Sequence, residues 1–261
     1  MIIDGHTHIG LEDFLAIPIP DEKLRFPAFK DRMSNTVENL INKMDQNGVA
    51  KAIAFGFPLE EIDRYKANNY VIEAWQRFPD RIVPFMLVGD DTEYWIEKGA
   101  RGFKQQDILY KSERFDLIRA YNVMAEASLP MLIHFRAHRD YSVTEQAIKI
   151  LANVPKLTLI VAHMGRNMPN TGDKVKDAVS GLADYANVVF ETSTVRDTAT
   201  IEFAVKVVGE QRVIFGSDYP FNSVTDADPL AKEIDIINSL NLSDEVKTRI
   251  FSGNIRTLLS L

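Results

Sequence analysis

Short apolar runs alternate along the chain with longer stretches in which apolar residues recur at helical spacing. This alternation is typical of β-strand–α-helix units that build a parallel sheet. We predict eight strands, at residues 2–4, 49–57, 82–88, 102–105, 130–135, 157–163, 188–191 and 212–216. The main predicted helices lie between them, at residues 36–47, 62–78, 114–127, 144–153, 200–209 and 230–240. Each helix returns the chain to the edge where the next strand begins.

Several predicted strands are apolar almost throughout, as in Met131, Leu132 and Ile133, which indicates strands covered on both faces. Eight parallel strands with helices outside close into a (β/α)8 TIM barrel, whose usual size of about 250 residues matches this chain. An open, doubly wound sheet is the competing architecture, and periodicity does not separate the two. We therefore predict one α/β domain over residues 1–261, a (β/α)8 barrel.

Residues 11–34 carry no clear period and contain Pro18, Pro20 and Pro27, so we predict a long loop after the first strand. In a barrel this loop overhangs the face on which active sites lie. It is therefore a candidate lid or specificity loop.

The composition narrows the range of functions. A hydrophobic fraction of 46% and a charged fraction of 26% are typical of a soluble globular protein. The net charge of -7 gives no general attraction for nucleic acid. No apolar stretch approaches the ~20 residues needed to cross a membrane, and the first ten residues do not resemble a signal peptide. We expect a cytoplasmic protein with a small-molecule substrate, and leave open whether it forms a homo-oligomer.

Four of the five histidines fall at the carboxyl ends of apolar runs, where a barrel gathers its active-site residues. His6 and His8 are two apart, so in an extended segment both imidazoles point to one face and can bind one ion. Asp4 shares this parity. His134, His163 and Asp218 reach the same rim. Each residue alone is readily explained as a hydrogen-bonded polar side chain, but their coincidence indicates a metal site. Because cysteine is absent, the ligands must be histidines and carboxylates.

These residues stand in motifs that resemble the amidohydrolase superfamily. The motifs are DGHTH at 4–8, GFK at 102–104, IH at 133–134, AHMG at 162–165, FGSDYPF at 215–221 and FSGNIRTLL at 251–259. The match is closest to the amidohydrolase-related branch (amidohydrolase 2), which also contains metal-dependent decarboxylases. The resemblance runs from end to end of the chain.

The resemblance implies that His6, His8 and Asp218 bind a divalent metal, with His134 as a further ligand. It makes His163 either a ligand of a second metal or a group beside the substrate. Lys104 is ambiguous, because a lysine in this strand is carboxylated and bridges two metals in some members, whereas elsewhere it contacts substrate or serves as a structural ion-pairing group. Imidazole and carboxylate ligands favour Zn, with Mn, Fe or Co as alternatives.

Such a metal lowers the pKa of a bound water toward about 7. We therefore expect a hydrolase that attacks a small amide, lactone or ester with metal-activated water, with Asp218 as base and the metal or His163 polarising the carbonyl. The alternative is a decarboxylase of an aromatic or unsaturated carboxylic acid, in which Asp218 or His163 protonates carbon. A noncatalytic metal-binding scaffold is the third hypothesis, and elemental analysis would distinguish it.

An acidic substrate needs a cationic anchor. Arg136 is the leading candidate because it lies two residues after His134, and His138 shares its parity. Arg166 and Arg196 are weaker candidates. Three further residues have plainer interpretations. Glu191 could enter the site, but we slightly favour a role as a salt-bridge partner at the rim of the barrel. We expect Trp75 and Trp95 to pack against the barrel.

Overall fold

The computed structural model describes residues 1–24, 34–106, 117–135, 142–166, 171–221 and 226–261. Eight strands form one sheet in the order β1 to β8, and each neighbouring pair is parallel. The strands are β1 Ile2–His8, β2 Val49–Phe55, β3 Ile82–Leu87, β4 Gly102–Gln106, β5 Met131–His134, β6 Leu159–Val161, β7 Val188–Glu191 and β8 Val213–Ile214. This order confirms the predicted (β/α)8 barrel and excludes the doubly wound sheet, in which the strand order reverses.

The barrel closes through residues that follow the short strand β8. The amide of Gly5 donates to the carbonyl of Phe215 at 2.9 Å, the amide of Asp218 donates to the carbonyl of His6 at 2.9 Å, and the amide of His8 donates to the carbonyl of Tyr219 at 2.8 Å. These bonds make a closing seam between β1 and residues 215–219. The seam places Asp218 beside both histidines of β1.

Helices separate the strands and cover the outside of the barrel. They are α1 Asp21–Leu24, α2 Val37–Gln46, α3 Arg64–Arg77, α4 Thr92–Glu97, α5 Leu117–Glu126, α6 Val143–Asn153, α7 Thr171–Gly181, α8 Thr198–Val208, α9 Pro229–Ser239, α10 Asp244–Thr248 and α11 Asn254–Leu259. Helix starts follow local chemistry. Ser142 and Glu145 form a capping box at the start of α6, and the Asp228 side chain accepts from the amide of Ala231 at the start of α9.

Two apolar layers hold the barrel together. The interior contains Ile53, Phe55, Phe85 and Leu132 from the strands, and Ile255 of α11 packs into the same cluster. The outer layer lies between strands and helices and includes the fully buried Trp95 and the partly buried Trp75. Both tryptophans therefore pack against the barrel as predicted.

The predicted loop at 11–34 is described in part. Its described residues contain a 3-10 turn at Glu12–Phe14 and the short helix α1. Lys23 of α1 donates to the buried Glu61 at 2.5 Å, and the amide of Asp63 donates to the carbonyl of Phe14 at 2.7 Å. This part of the loop is thus fastened to the segment after β2. No helix in the described parts of the chain has the length and apolar character to cross a membrane.

Candidate active site

His6, His8 and Asp218 face one another at the carboxyl ends of the strands. Nε2 of His6 and Nε2 of His8 each lie 3.2 Å from Oδ1 of Asp218. Ligand atoms about 2.1 Å from an ion are about 3.0 to 3.4 Å apart in octahedral or tetrahedral geometry. Both distances therefore match the spacing of donors around one divalent cation, and the three residues lie close enough together to hold one. Both imidazoles are buried, whereas 13% of the Asp218 side chain is exposed.

The charge states also suit a cation. Burial lowers the pKa of His6 well below its ordinary value and lowers that of His8. Burial alone would raise the pKa of Asp218, but the surrounding His6, His8 and His163 hold it well below its usual range. Two neutral imidazoles and one ionised carboxylate are the forms in which these side chains bind metal. These three side chains therefore fit the divalent metal expected from the sequence.

Glu191 at the end of β7 supports two histidines. Its Oε2 lies 2.8 Å from Nδ1 of His6 and 3.2 Å from the amide of His163. Glu191, His6 and His163 also lie close enough to hold an ion. However, Nδ1 of His6 is already engaged by the carboxylate, which directs Nε2 toward Asp218, so we interpret this group as ligand support. The rim salt bridge expected for Glu191 is therefore a hydrogen bond to a site histidine.

Close packing around Glu191 explains the glycine of the FGSDYPF motif. A Cβ on Gly216 would overlap Oε1 of the buried Glu191 carboxylate.

The next residue, Ser217, donates from its hydroxyl to Asp4 at 2.5 Å. Asp4 also accepts the amide of His6 at 3.0 Å, and burial raises its pKa to about 7. Sequence reasoning noted the parity of Asp4 but missed its role in holding the segment that carries His6.

His163 follows β6 in a left-handed backbone conformation, with φ of 54°. Its Nδ1 lies 2.8 Å from Oγ of Ser193 and 3.2 Å from the carbonyl oxygen of Ser193. The Ser193 hydroxyl donates to Glu191 at 2.9 Å, so Oγ accepts from His163 and Nδ1 carries the proton. Nε2 of His163 is then the lone-pair nitrogen. Burial lowers the pKa of His163 to about 3, so the ring is neutral near pH 7.

His134 lies against His163 rather than in the His6, His8 and Asp218 cluster. Nδ1 of His134 is 3.3 Å from Nε2 of His163. Because Nε2 of His163 accepts, Nδ1 of His134 donates, which makes Nε2 of His134 the nitrogen with a lone pair. Nε2 would then be the atom with which His134 could bind a metal. The assignment of His134 as a fourth ligand stays a prediction.

Lys104 of β4 is fully buried inside the site. Its Nζ lies 3.2 Å from Nε2 of His6 and 5.1 Å from the centre of the Phe55 ring. The amine thus approaches the metal-facing nitrogen of His6. This position is compatible with both roles considered from the sequence, and its carboxylation remains untested.

Of the arginines named from the sequence, Arg166 carries the strongest signal. Burial lowers the pKa of its guanidinium, while the charges of Asp218 and Glu233 act in the opposite direction. Among the described residues Arg166 forms no ion pair, whereas Arg196 is paired with Asp226 and lies 3.6 Å from Glu233. Arg136 and His138 lie outside the described residues.

Comparison with known proteins gives the family. The model of the amidohydrolase family matches residues 3–261. The chain belongs to the amidohydrolase family. This confirms the resemblance found in the sequence motifs.

The proteins similar to this chain include decarboxylases and a probable hydrolase. A 2-amino-3-carboxymuconate-6-semialdehyde decarboxylase of Dictyostelium discoideum is 25% identical over 154 residues, which span 53% of this chain and 41% of the relative. A dihydroxybenzoic acid decarboxylase from a Polaromonas species, solved with manganese and 2-nitroresorcinol, has a TM-score of 0.71 at 17% identity and covers 100% of this chain and 97% of its own. A probable 2-pyrone-4,6-dicarboxylic acid hydrolase of Acinetobacter baumannii has a TM-score of 0.72 at 14% identity, with coverage of 100% and 99%.

At these low identities the two solved structures support the shared fold. The chain is therefore an amidohydrolase-family enzyme with a candidate metal-binding centre. The curated relative is a decarboxylase, which agrees better with the alternative reaction given from the sequence than with the hydrolysis expected first. Manganese, rather than zinc, is the metal bound in the Polaromonas protein.

Proposed function

We propose that this enzyme is a metal-dependent decarboxylase of an aromatic or unsaturated carboxylic acid. The observation that carries the proposal is an arginine in the field of the candidate metal site. Arg166 is partly buried and forms no ion pair among the described residues, and the carboxylate of Asp218 is the nearby charge that acts on it most. Once a divalent cation neutralises Asp218, this guanidinium needs another anion. The carboxylate of an acid substrate supplies one.

His6, His8 and Asp218 would hold the cation, with His134 as a candidate further ligand. A bound divalent cation would supply positive charge that attracts an acid substrate and stabilises the negative charge that develops as CO2 leaves. Arg166 is the candidate to pair with the carboxylate of the same acid. The imidazoles of His6, His8 and His163 are buried, which limits the access of water to them.

Decarboxylation breaks the bond between carbon and the carboxylate, releases CO2 and leaves the carbon to take a proton. Asp218 and His163 are the two groups that can carry this proton, since both are unprotonated near pH 7. Either can accept the proton of a substrate hydroxyl on binding and return it to carbon. The proton balance is then closed within the substrate and one side chain.

The test is an assay of protein loaded with Mn or Zn against aromatic and unsaturated acids, neutral lactones, esters and amides. We expect CO2 release from an acid, lost after chelation and in Asp218→Asn. The exposed carboxylate variant Asp235→Asn is the control and should keep full activity. Acid release from a neutral substrate without any CO2 would overturn the proposal.

Hydrolysis is the second candidate. Its specific support is the hydrolase among the structural relatives, since the same ligands and carboxylate could direct water onto an ester carbon. A rate of acid release from a lactone that increases with pH through a pKa near neutrality would favour hydrolysis.

A further inference from the structure

The turn after β7 holds a strained residue next to the candidate proton carrier. Thr194 has φ of 63°, and the amide of Val195 donates to the carbonyl of Thr192 at 3.1 Å. A β-branched residue rarely adopts this left-handed conformation, which strains its backbone. Such a conformation persists only where surrounding contacts hold it.

The inner side of this turn touches His163. Nδ1 of His163 lies 2.8 Å from Oγ of Ser193, 3.2 Å from the Ser193 carbonyl and 3.4 Å from Oγ1 of Thr194. These oxygens accept the Nδ1 proton. The conformation of the turn thus determines which nitrogen of His163 keeps its lone pair.

The outer side of the turn is held by Glu233 of α9. Its Oε2 accepts the amide of Thr194 at 3.1 Å, and its side chain is only 3% exposed. Oε1 has no hydrogen-bond partner among the described residues, and the nearest cation is Nε of Arg196 at 3.6 Å. Burial raises the pKa of Glu233 to about 8. Burying such a group is costly, and its neighbours on this helix face are apolar: Leu230, Ile236 and Ile237.

We propose that Glu233 is a positioning residue for His163. By holding the Thr194 amide it fixes the left-handed turn, which keeps Nδ1 of His163 protonated and Nε2 as the lone-pair nitrogen. The catalytic consequence rests on the proposed function, in which His163 carries a proton. The effect of Glu233 on the tautomer of His163 does not depend on the proposed function.

The matched variants are Glu233→Gln and Glu233→Met. Glutamine keeps an acceptor oxygen, and it is a close isostere of the neutral acid that predominates near pH 7. Methionine keeps the volume but accepts no comparable hydrogen bond. Glu202→Met is the control, because Glu202 also accepts a backbone amide, that of Asn241 at 2.6 Å, on an exposed surface.

The readout is the imidazole 15N spectrum of the zinc-loaded protein, which has five histidines to assign. We expect the Nδ1–H tautomer for His163 in wild type, Glu233→Gln and Glu202→Met, and a mixture of tautomers in Glu233→Met. With an active acid substrate, Glu233→Met should lower kcat about 10-fold with little change in KM. An unchanged His163 spectrum in folded Glu233→Met would overturn the proposal.

If Glu233→Met does not fold, exchange of the Thr194 amide in wild type decides. Slow exchange of this amide in wild type, retained in Glu233→Gln because the glutamine oxygen still accepts it, would support the proposal. Exchange as fast as in an unprotected turn would overturn it. The 15N spectrum and the amide exchange test the role of Glu233 whether the enzyme is a decarboxylase or a hydrolase. Failure of the proposed reaction is detected separately, as an absence of CO2 release.

Discussion

Neutral imidazoles around one ionised carboxylate define the chemistry of this site at the scale of single residues. Protons compete with metal for histidine below its pKa, and the pKa values of His6 and His8 are lowered from the ordinary 6.5. The pKa of Asp218 is lowered as well, so protons compete with the metal for its carboxylate only below the ordinary carboxyl range. The ligands are therefore in their binding forms before the cation arrives.

The first prediction follows from these lowered pKa values. Metal retention should stay constant as the pH falls from 8 through 6.5, and decline only at lower pH, because the folded-state pKa values lie below the ordinary ones. Metal content after dialysis at each pH against a weak chelator measures this. Loss of half the metal near pH 6.5 would mean that the histidines titrate as if exposed.

Arg166 supplies the second prediction. Arg166→Met should raise KM for an acid substrate at least about 10-fold, because a charge-assisted hydrogen bond contributes about 1.5–3 kcal/mol. Metal content should be unchanged, since Arg166 is not a ligand. Arg77→Met is the control, because its ion pair with Glu38 is exposed. A higher metal requirement with unchanged KM would place Arg166 in the metal site instead.

Residue spacing predicted part of this site. The parity of His6 and His8 and the strand-end position of Asp218 were enough to bring those three together. The roles of Glu191 and Asp4 in holding site residues were not predicted, because they depend on hydrogen bonds across the barrel to residues 163 and 217. Glu233 gave a usable signal, a carboxylate on an apolar helix face, which sequence reasoning overlooked.

At the scale of elements, the closing seam depends on a strand of only two residues. Asn254 at the start of α11 helps to hold that strand, since its Nδ2 donates to the carbonyls of Val213 at 2.7 Å and Glu210 at 2.6 Å. A helix from the end of the chain thus fixes the strand that precedes Asp218.

The third prediction tests this link. Asn254→Ala should lower the free energy of unfolding by about 1–3 kcal/mol, because two backbone carbonyls lose their donor in a buried place. Urea unfolding measures the change. Asn153→Ala removes a similar bond to the carbonyl of Lys149 on the surface and should cost about 0.5 kcal/mol or less. Equal effects of the two substitutions would contradict the role of Asn254 at the seam.

Each predicted strand overlaps an observed one, because buried parallel strands are continuous apolar runs. The bounds differ most at β1, which was predicted at 2–4 and continues to His8, and at β6, which was predicted at 157–163 and spans only Leu159–Val161. Helix α7 was not predicted. Its residues 171–181 include two glycines and several polar residues, so its apolar stripe is narrow. The left-handed turns at His163 and Thr194 could not be predicted either, since only tertiary contacts hold such residues at positive φ.

At the scale of the whole molecule, the metal site and the closing seam are the same place. The amide of Asp218 bonds to His6, while their side chains face one ion position. A cation bound by His6, His8 and Asp218 would therefore join the first strand to the residues after the last one. The barrel's stability and its metal content should then be linked.

The fourth prediction measures that linkage. A ligand that binds only the folded state at 100 times its Kd stabilises it by about 2.7 kcal/mol, which for a chain of this size corresponds to a Tm increase of about 5–10 °C. Thermal unfolding with added Zn or Mn, and again after chelation, should show this difference in the wild type. His6→Ala should lose the difference, because one of the three donors is gone, while Glu202→Met should keep it. A wild-type Tm that is the same with saturating metal and with chelator would mean that the ion does not bridge β1 and the segment after β8.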